Sequence, residues 1–122
     1  MRRLILVGAS VLSLALASEA AAGANTFIGP GKVDKGDSVT VSAKNCQDGP
    51  GYKAFVDVEV VKGGKVIDSK SVPADADGTT VVKVKMRRLR RNLVRVRCRH
   101  VFDAGGEGIF YEESRVIRVT RG

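Results

Sequence analysis

From Thr26 to Thr120 the chain is a succession of short apolar runs, broken by turn-forming residues at intervals of about ten, and no stretch sustains a helical period. Alternation with a period of two puts successive side chains on opposite faces of a strand, offering one face to a core and the other to water. A chain patterned in this way is confined to sandwiches or barrels of antiparallel strands. The alternation is cleanest from Leu93 to Phe102, where Val94, Val96, Cys98, His100 and Phe102 fall on one face and Arg95, Arg97 and Arg99 on the other.

The remaining strands follow in order. Lys35-Gly36-Asp37 is a turn before Ser38 to Ala43, which points Val39, Val41 and Ala43 one way. Cys46 is out of phase with that face, so either a bulge near Lys44-Asn45 turns it inward or it lies just past the strand, in the loop Gln47 to Gly51. Phe55 to Lys62 places Val56, Val58 and Val60 opposite Asp57 and Glu59. Gly63-Gly64 reads as a two-residue hairpin turn into Val66 to Val72, whose Asp68 and Lys70 suit a sheet edge. Pro73 to Gly78 is a turn, and Thr79 to Met86 directs Val82, Val84 and Met86 inward. Arg87 to Asn92 then connects to the arginine-bearing strand. Asp103 to Gly108 is a loop, and Ile109 to Thr120 is a last strand with Ile117 and Val119 inward, making about seven strands in all.

The start of the chain has a different character. Met1-Arg2-Arg3 is basic, Leu4 to Ala17 is uncharged and apolar, and Ala20 to Ala24 offers small-residue cleavage sites. These features predict a secretory signal peptide over residues 1–24 and a mature domain over 25–122. An uncleaved anchor is the competing reading, because Leu4 to Ala22 is nearly long enough to span a bilayer; the Ala, Ser and Gly content and Glu19 weigh against it. Arg2-Arg3 is only a weak hint of twin-arginine export. The expected location is extracytoplasmic, secreted or periplasmic, with no transmembrane segment after cleavage.

A mature chain of about 98 residues buries roughly two thirds of its unfolded surface, which leaves little margin of stability. Cys46 and Cys98 are the only two cysteines. In an exported protein they predict one disulfide, and closing a loop of about fifty residues stabilises by about 4 kcal/mol in the chain-entropy model. A metal site would need more ligands than these two thiols and the single His100 supply, so no cofactor or metal is expected.

The full chain carries a formal charge of +8. Removing Arg2, Arg3 and Glu19 leaves about +7, a surface that attracts anionic partners. Export disfavours nucleic acid, and no aromatic residue is interleaved between Arg87 and His100 on which bases would stack. An anionic component of the cell envelope, or an acidic macromolecule, is the partner class that remains.

Two segments resemble those of exported bacterial immunoglobulin-like domains. They are Lys35-Gly36-Asp37-Ser38-Val39-Thr40-Val41, where a Gly-Asp turn opens a strand, and Ala74-Asp75-Ala76-Asp77-Gly78-Thr79, an Asp-x-Asp-Gly turn opening another. The resemblance spans nearly all of the mature chain and implies an immunoglobulin-like sandwich whose disulfide joins the second and sixth strands across the two sheets. It departs from the antibody pattern, since tryptophan is absent and Val96 stands where a tyrosine corner would place tyrosine. Chromophore-binding sandwiches of the neocarzinostatin kind look similar from Ala74 to Gly78 but carry further cysteines.

The resemblance implies that the third and sixth strands are neighbours, with the seventh beyond the sixth. Asp57 and Glu59 then lie beside Arg95, Arg97 and Arg99, with Glu112 and Arg118 on the far side. Such a face is either a set of cross-strand ion pairs or, together with Arg87, Arg88, Arg90 and Arg91, an anion-binding surface; guanidinium forks match phosphate, sulfate and carboxylate. Because the acids can neutralise the ladder, the loop arginines are the stronger candidates.

No catalytic residue is assigned. His100 shares the inner face with Cys98 and is expected to be packed, and a Cys-His catalytic pair would need a free thiol. Asp75-x-Asp77-Gly78 lacks the rest of a calcium loop, Met86 standing where the closing glutamate belongs. The sequence therefore predicts a non-enzymatic binding or structural module, with a small-ligand carrier or inhibitor using the loop cleft as the second reading and an enzyme or metal-handling protein as the third.

Overall fold

A computed structural model describes residues 23–122. All but the last two residues of the expected leader lie outside the described residues. The described chain is all β, with eight strands: β1 (Thr26–Gly29), β2 (Lys32–Asp34), β3 (Ser38–Lys44), β4 (Tyr52–Lys62), β5 (Lys65–Pro73), β6 (Thr79–Lys85), β7 (Arg90–Phe102) and β8 (Glu107–Thr120). They form a three-stranded sheet ordered β1-β3-β6 and a five-stranded sheet ordered β2-β8-β7-β4-β5.

The expected count of about seven is therefore corrected to eight among the described residues. Pro30 has no N–H to give a ladder. At Gly29-Pro30-Gly31 the chain leaves the small sheet and resumes in the large one, which makes two short strands of a segment to which the alternation assigned none. The purely antiparallel expectation is corrected as well, because β2 runs parallel to β8, pairing Lys32 with Arg118 and Val33 with Val119.

The core lies between the sheets and follows the alternation. Val39, Val41 and Ala43 of β3 and Val82 and Val84 of β6 face Val56, Val58 and Val60 of β4, Val94 and Val96 of β7, and Ile117 and Val119 of β8, all buried. At roughly 1.5–3 kcal/mol for each fully buried Val or Ile side chain, this shared layer is the main source of stability. Gly63 and Gly64, with φ of 58° and 80°, make the predicted tight hairpin between β4 and β5. Positive φ at both positions costs glycine nothing and matches the twist of the strands.

Cys46 and Cys98 are joined, with their Cα atoms 5.7 Å apart, and both are fully buried. No bulge is needed in β3, whose pairing with β6 is unbroken from Ser38 to Lys44. Asn45 instead takes a left-handed conformation (φ 59°), which its short polar side chain tolerates, and swings Cys46 inward just past the strand end. The Cys46 N–H is received by the Gly78 carbonyl. The bridge thus ties the end of a small-sheet strand to the middle of the large sheet.

The strands of the two sheets differ in length. β4, β7 and β8 have 11, 13 and 14 residues, whereas β1, β3 and β6 have 4, 7 and 7. The large sheet therefore overhangs the small one. The overhang explains why Phe102, expected in the core from its phase, is 42% exposed. On the β5 and β6 side the sandwich is bridged by Lys70, whose Nζ donates to the Lys83 carbonyl at 2.7 Å.

A basic loop held by its own strand and an aromatic overhang at the other end

Each residue expected to meet an anion is placed by β7 or by the loop before it. The arginines of the strand are already engaged. Registration puts Arg95 opposite Glu59, Arg97 between Asp57 and Glu112, and Arg99 opposite Phe55. Arg95 donates from Nε and Nη2 to Glu59 Oε1 at 2.9 and 2.6 Å, and Arg97 donates to Glu112. Arg99 grips Asp57 through Nε at 2.7 Å and lies over the Phe55 ring, 5.0 Å from its centroid. Burial alone would raise the Asp57 pKa, but hydrogen bonds from Arg99 and Ser71 outweigh it and hold the carboxyl below its usual value. The ladder is thus a set of cross-strand ion pairs on a partly solvated face, each worth roughly 0.2–1 kcal/mol.

The loop arginines are in a different situation. β7 begins at Arg90, so the connection read as Arg87 to Asn92 is shorter than expected and Arg90, Arg91 and Asn92 belong to the strand. Arg87, Arg88 and Arg90 are exposed, as is Arg91, and none makes an ion pair with any of the described residues. Their backbone is nevertheless tightly held. Asn92, 2% exposed, donates through Nδ2 to the carbonyls of Arg88 (2.8 Å) and Arg90 (3.3 Å). From the neighbouring strand, Lys62 Nζ donates to the carbonyls of Leu89 (2.8 Å) and Arg91 (3.1 Å). Four successive carbonyls are thereby satisfied by two side chains, and the loop keeps a fixed shape in which Arg90 adopts a φ of 76°. A left-handed non-glycine residue costs on the order of 1 kcal/mol and persists only where its surroundings impose it.

Strand pairing adds cations that the sequence did not bring to this site. Arg91 stands opposite Arg118, and Arg118 beside Lys32, so three positive side chains form a row across β7, β8 and β2. Like charges directly opposite one another are unfavourable by a few tenths of a kcal/mol, and here no carboxylate is interleaved. Arg118 had been expected merely as a far neighbour of the ladder. Its true neighbours depended on β2, which carries too few residues to register as a strand in an alternation pattern.

The opposite end of the sandwich has another chemistry. There the overhang gathers Tyr52, His100, Phe102 and Phe110. His100 stacks between Tyr52 and Phe110, with ring centroids 4.1 and 4.9 Å away, and Phe102 sets its edge against both Tyr52 and His100. Phe110 is the residue left unpaired where the β7–β8 register shifts between Cys98 and Arg99. Phe102 and Phe110 remain 42% and 58% exposed, and the loops around them carry Asp48 and Asp103, with Glu107 at the start of β8. His100 is therefore half-buried in an aromatic stack, not enclosed in the core. Nearby Tyr111 donates its hydroxyl to the Lys44 carbonyl at 2.6 Å, and its burial, with the Glu113 charge adding to it, pushes its pKa up to about 12.

Among the described residues no group of three or more His, Cys, Asp or Glu is placed to hold a metal ion, and no helix is long and apolar enough to cross a membrane. The described residues therefore present one end rich in guanidinium groups with no ion-pair partner among them, and one end of half-exposed rings rimmed by carboxylates. No protein-family model, no curated protein and no solved structure matches the chain.

Proposed function

We propose that this is an exported, non-enzymatic module of immunoglobulin-like architecture whose basic end holds an anionic polymer of the cell envelope. One observation carries the reading: the ladder arginines are paired with carboxylates and Arg115 donates to the Ile28 carbonyl, whereas Arg87, Arg88, Arg90 and Arg91 have no such partner among the described residues, on a segment leading into β7 whose backbone is fixed. Because the backbone that carries these guanidinium groups is already ordered, meeting phosphate or carboxylate oxygens costs side-chain entropy but little backbone entropy. The disulfide is compatible with an oxidising, extracytoplasmic location. The two sheets, and the neighbouring of β4, β7 and β8 around a bridge from β3 to β7, support the immunoglobulin-like reading.

Retention on heparin or on anionic vesicles tests the proposal. It should weaken steeply with salt. It should be largely lost when Arg87, Arg88 and Arg91 become Ser and Arg90 becomes Asn, which tolerates the left-handed backbone. Unchanged retention in that variant would remove the loop from the account.

A second reading, a carrier of a small hydrophobic ligand, is favoured by the exposed rings of Phe102 and Phe110 at the other end. Native mass spectrometry of the protein purified from its own secretion medium should then show a bound small molecule, lost on replacing Phe102 and Phe110 by Ser.

A further inference from the structure

Between the arginine loop and the Lys70 bridge, the sandwich is open where the β5 edge of the large sheet meets the β6 edge of the small one. A cleft of about 230 Å³ enters there, lined by Val60, Ile67, Asp68, Lys85, Arg87 and Arg88. Its floor is apolar: Val60 is a core residue and Ile67 packs against the core. Its mouth is basic, since Lys85, Arg87 and Arg88 stand exposed around it. Asp68 is the one acid of the lining, and it accepts the N–H of Ser69.

We infer that this cleft takes a single-chain amphiphile with a phosphate head, the head held by Arg87, Arg88 and Lys85 and the first part of the chain lying on Val60 and Ile67. The inference rests on the anion-binding reading of the loop and gives it a ligand class. Three features carry it together. The cations are at the mouth, where a charged head stays hydrated, and not on the floor. A phosphate dianion matches two guanidinium forks and an ammonium better than a carboxylate does, because it has more acceptor oxygens to share. The volume is that of about eight waters at roughly 30 Å³ each, room for one short alkyl segment.

The lining also makes the sign of the Asp68 contribution definite. A carboxylate at the mouth repels a phosphate head, so its removal should strengthen binding, whereas a cleft that simply held water would be indifferent.

The test is titration calorimetry of the protein with n-octyl phosphate, inorganic phosphate and n-octanol, each alone. Octyl phosphate should bind in a 1:1 ratio at least about tenfold more tightly than inorganic phosphate, since burying two methylenes is already worth that factor. Octanol, lacking the head, should bind more weakly than octyl phosphate. Ile67→Trp, which fills the cleft, should erase the preference for octyl phosphate over phosphate while heparin retention stays as in the wild type, and a cooperative denaturant transition certifies that the variant is folded. Asp68→Asn should tighten octyl phosphate binding and leave octanol unchanged, an outcome that does not depend on Ile67→Trp folding. Equal affinity for octyl phosphate and inorganic phosphate, octanol binding as tightly as octyl phosphate, or a preference that survives Ile67→Trp would each overturn the inference. Failure of the loop reading is separate: there, heparin retention itself would be indifferent to the arginines.

Discussion

The backbone N–H of Asn25 donates to the carboxylate of Glu113, at 3.2 and 3.3 Å from its two oxygens, and the same carboxylate receives the Asn25 amide at 3.2 Å and the Thr26 hydroxyl at 2.6 Å. One side chain of β8 thus fastens Asn25, where removal of the predicted leader would create a new terminus. If export cleaves after Ala24, that nitrogen becomes an ammonium and the contact becomes an ion pair. Charged hydrogen bonds of this kind are worth about 1.5–3 kcal/mol. Glu113→Gln should therefore cost on the order of 1 kcal/mol more in a chain starting at Asn25 than in one retaining several residues before it, measured by denaturant midpoints. Equal losses in the two chains would mean that the contact is indifferent to processing.

The bridge between Cys46 and Cys98 closes a loop with a sequence separation of 52. Replacing both cysteines by Ala should lower stability by about 4 kcal/mol, a large part of what a domain of this size has. Intact mass with alkylation, before and after reduction, checks the bond itself; two thiols alkylated without reductant would contradict it.

The ladder gives a prediction with a defined sign in acid. The Asp57 pKa is held below its usual value, mainly by Arg99 and Ser71 acting against burial. A depressed carboxyl contributes stability above the ordinary aspartate pKa, and that contribution is lost as pH falls through the lowered value. The wild type should lose stability below about pH 4. Asp57→Asn should show a smaller loss over that range, and a slope identical to the wild type would exclude Asp57 as a contributor.

In alkali the sign reverses. The phenol of Tyr111 is raised to about 12, so the folded state favours the neutral form; its contribution is complete below about pH 10 and is lost as pH rises toward 12. Tyr111→Phe removes the hydrogen bond to the Lys44 carbonyl, which should cost about 1 kcal/mol at neutral pH and flatten the decline between pH 10 and 12. A Tyr111→Phe variant with the same alkaline profile would locate that decline elsewhere.

The faces of individual strands were legible in the sequence because alternation has a period of two and needs no partner. Val94, Val96, Cys98, Ile117 and Val119 lie where their phase puts them, and Arg95, Arg97 and Arg99 meet the acids anticipated for them. What was not legible depended on sheet extent and on short elements. The exposure of Phe102 follows from a large sheet that outruns its partner, and alternation along one strand says nothing about the length of the strand facing it. The row of Lys32, Arg118 and Arg91 depended on β2, three residues long and parallel to β8. Nor does composition show that Asn92 and Lys62 spend their donors on the four carbonyls from Arg88 to Arg91, which is what distinguishes these arginines from ordinary surface charge.

The most direct measurement is the salt dependence of binding to vesicles containing anionic lipid, for the wild type and two variants matched in charge. In one, Arg87, Arg88 and Arg91 become Ser, leaving the left-handed Arg90 untouched; in the other, the exposed Lys44, Lys53 and Lys83 become Ser. Both lose three positive charges, so a merely nonspecific attraction to the net charge would weaken equally in the two. The arginine variant should bind at least about tenfold more weakly at low salt with a shallower salt dependence, and the lysine variant should stay close to the wild type. Equal weakening in both variants, or an arginine variant that binds like the wild type, would contradict the proposed anion-binding role of these arginines.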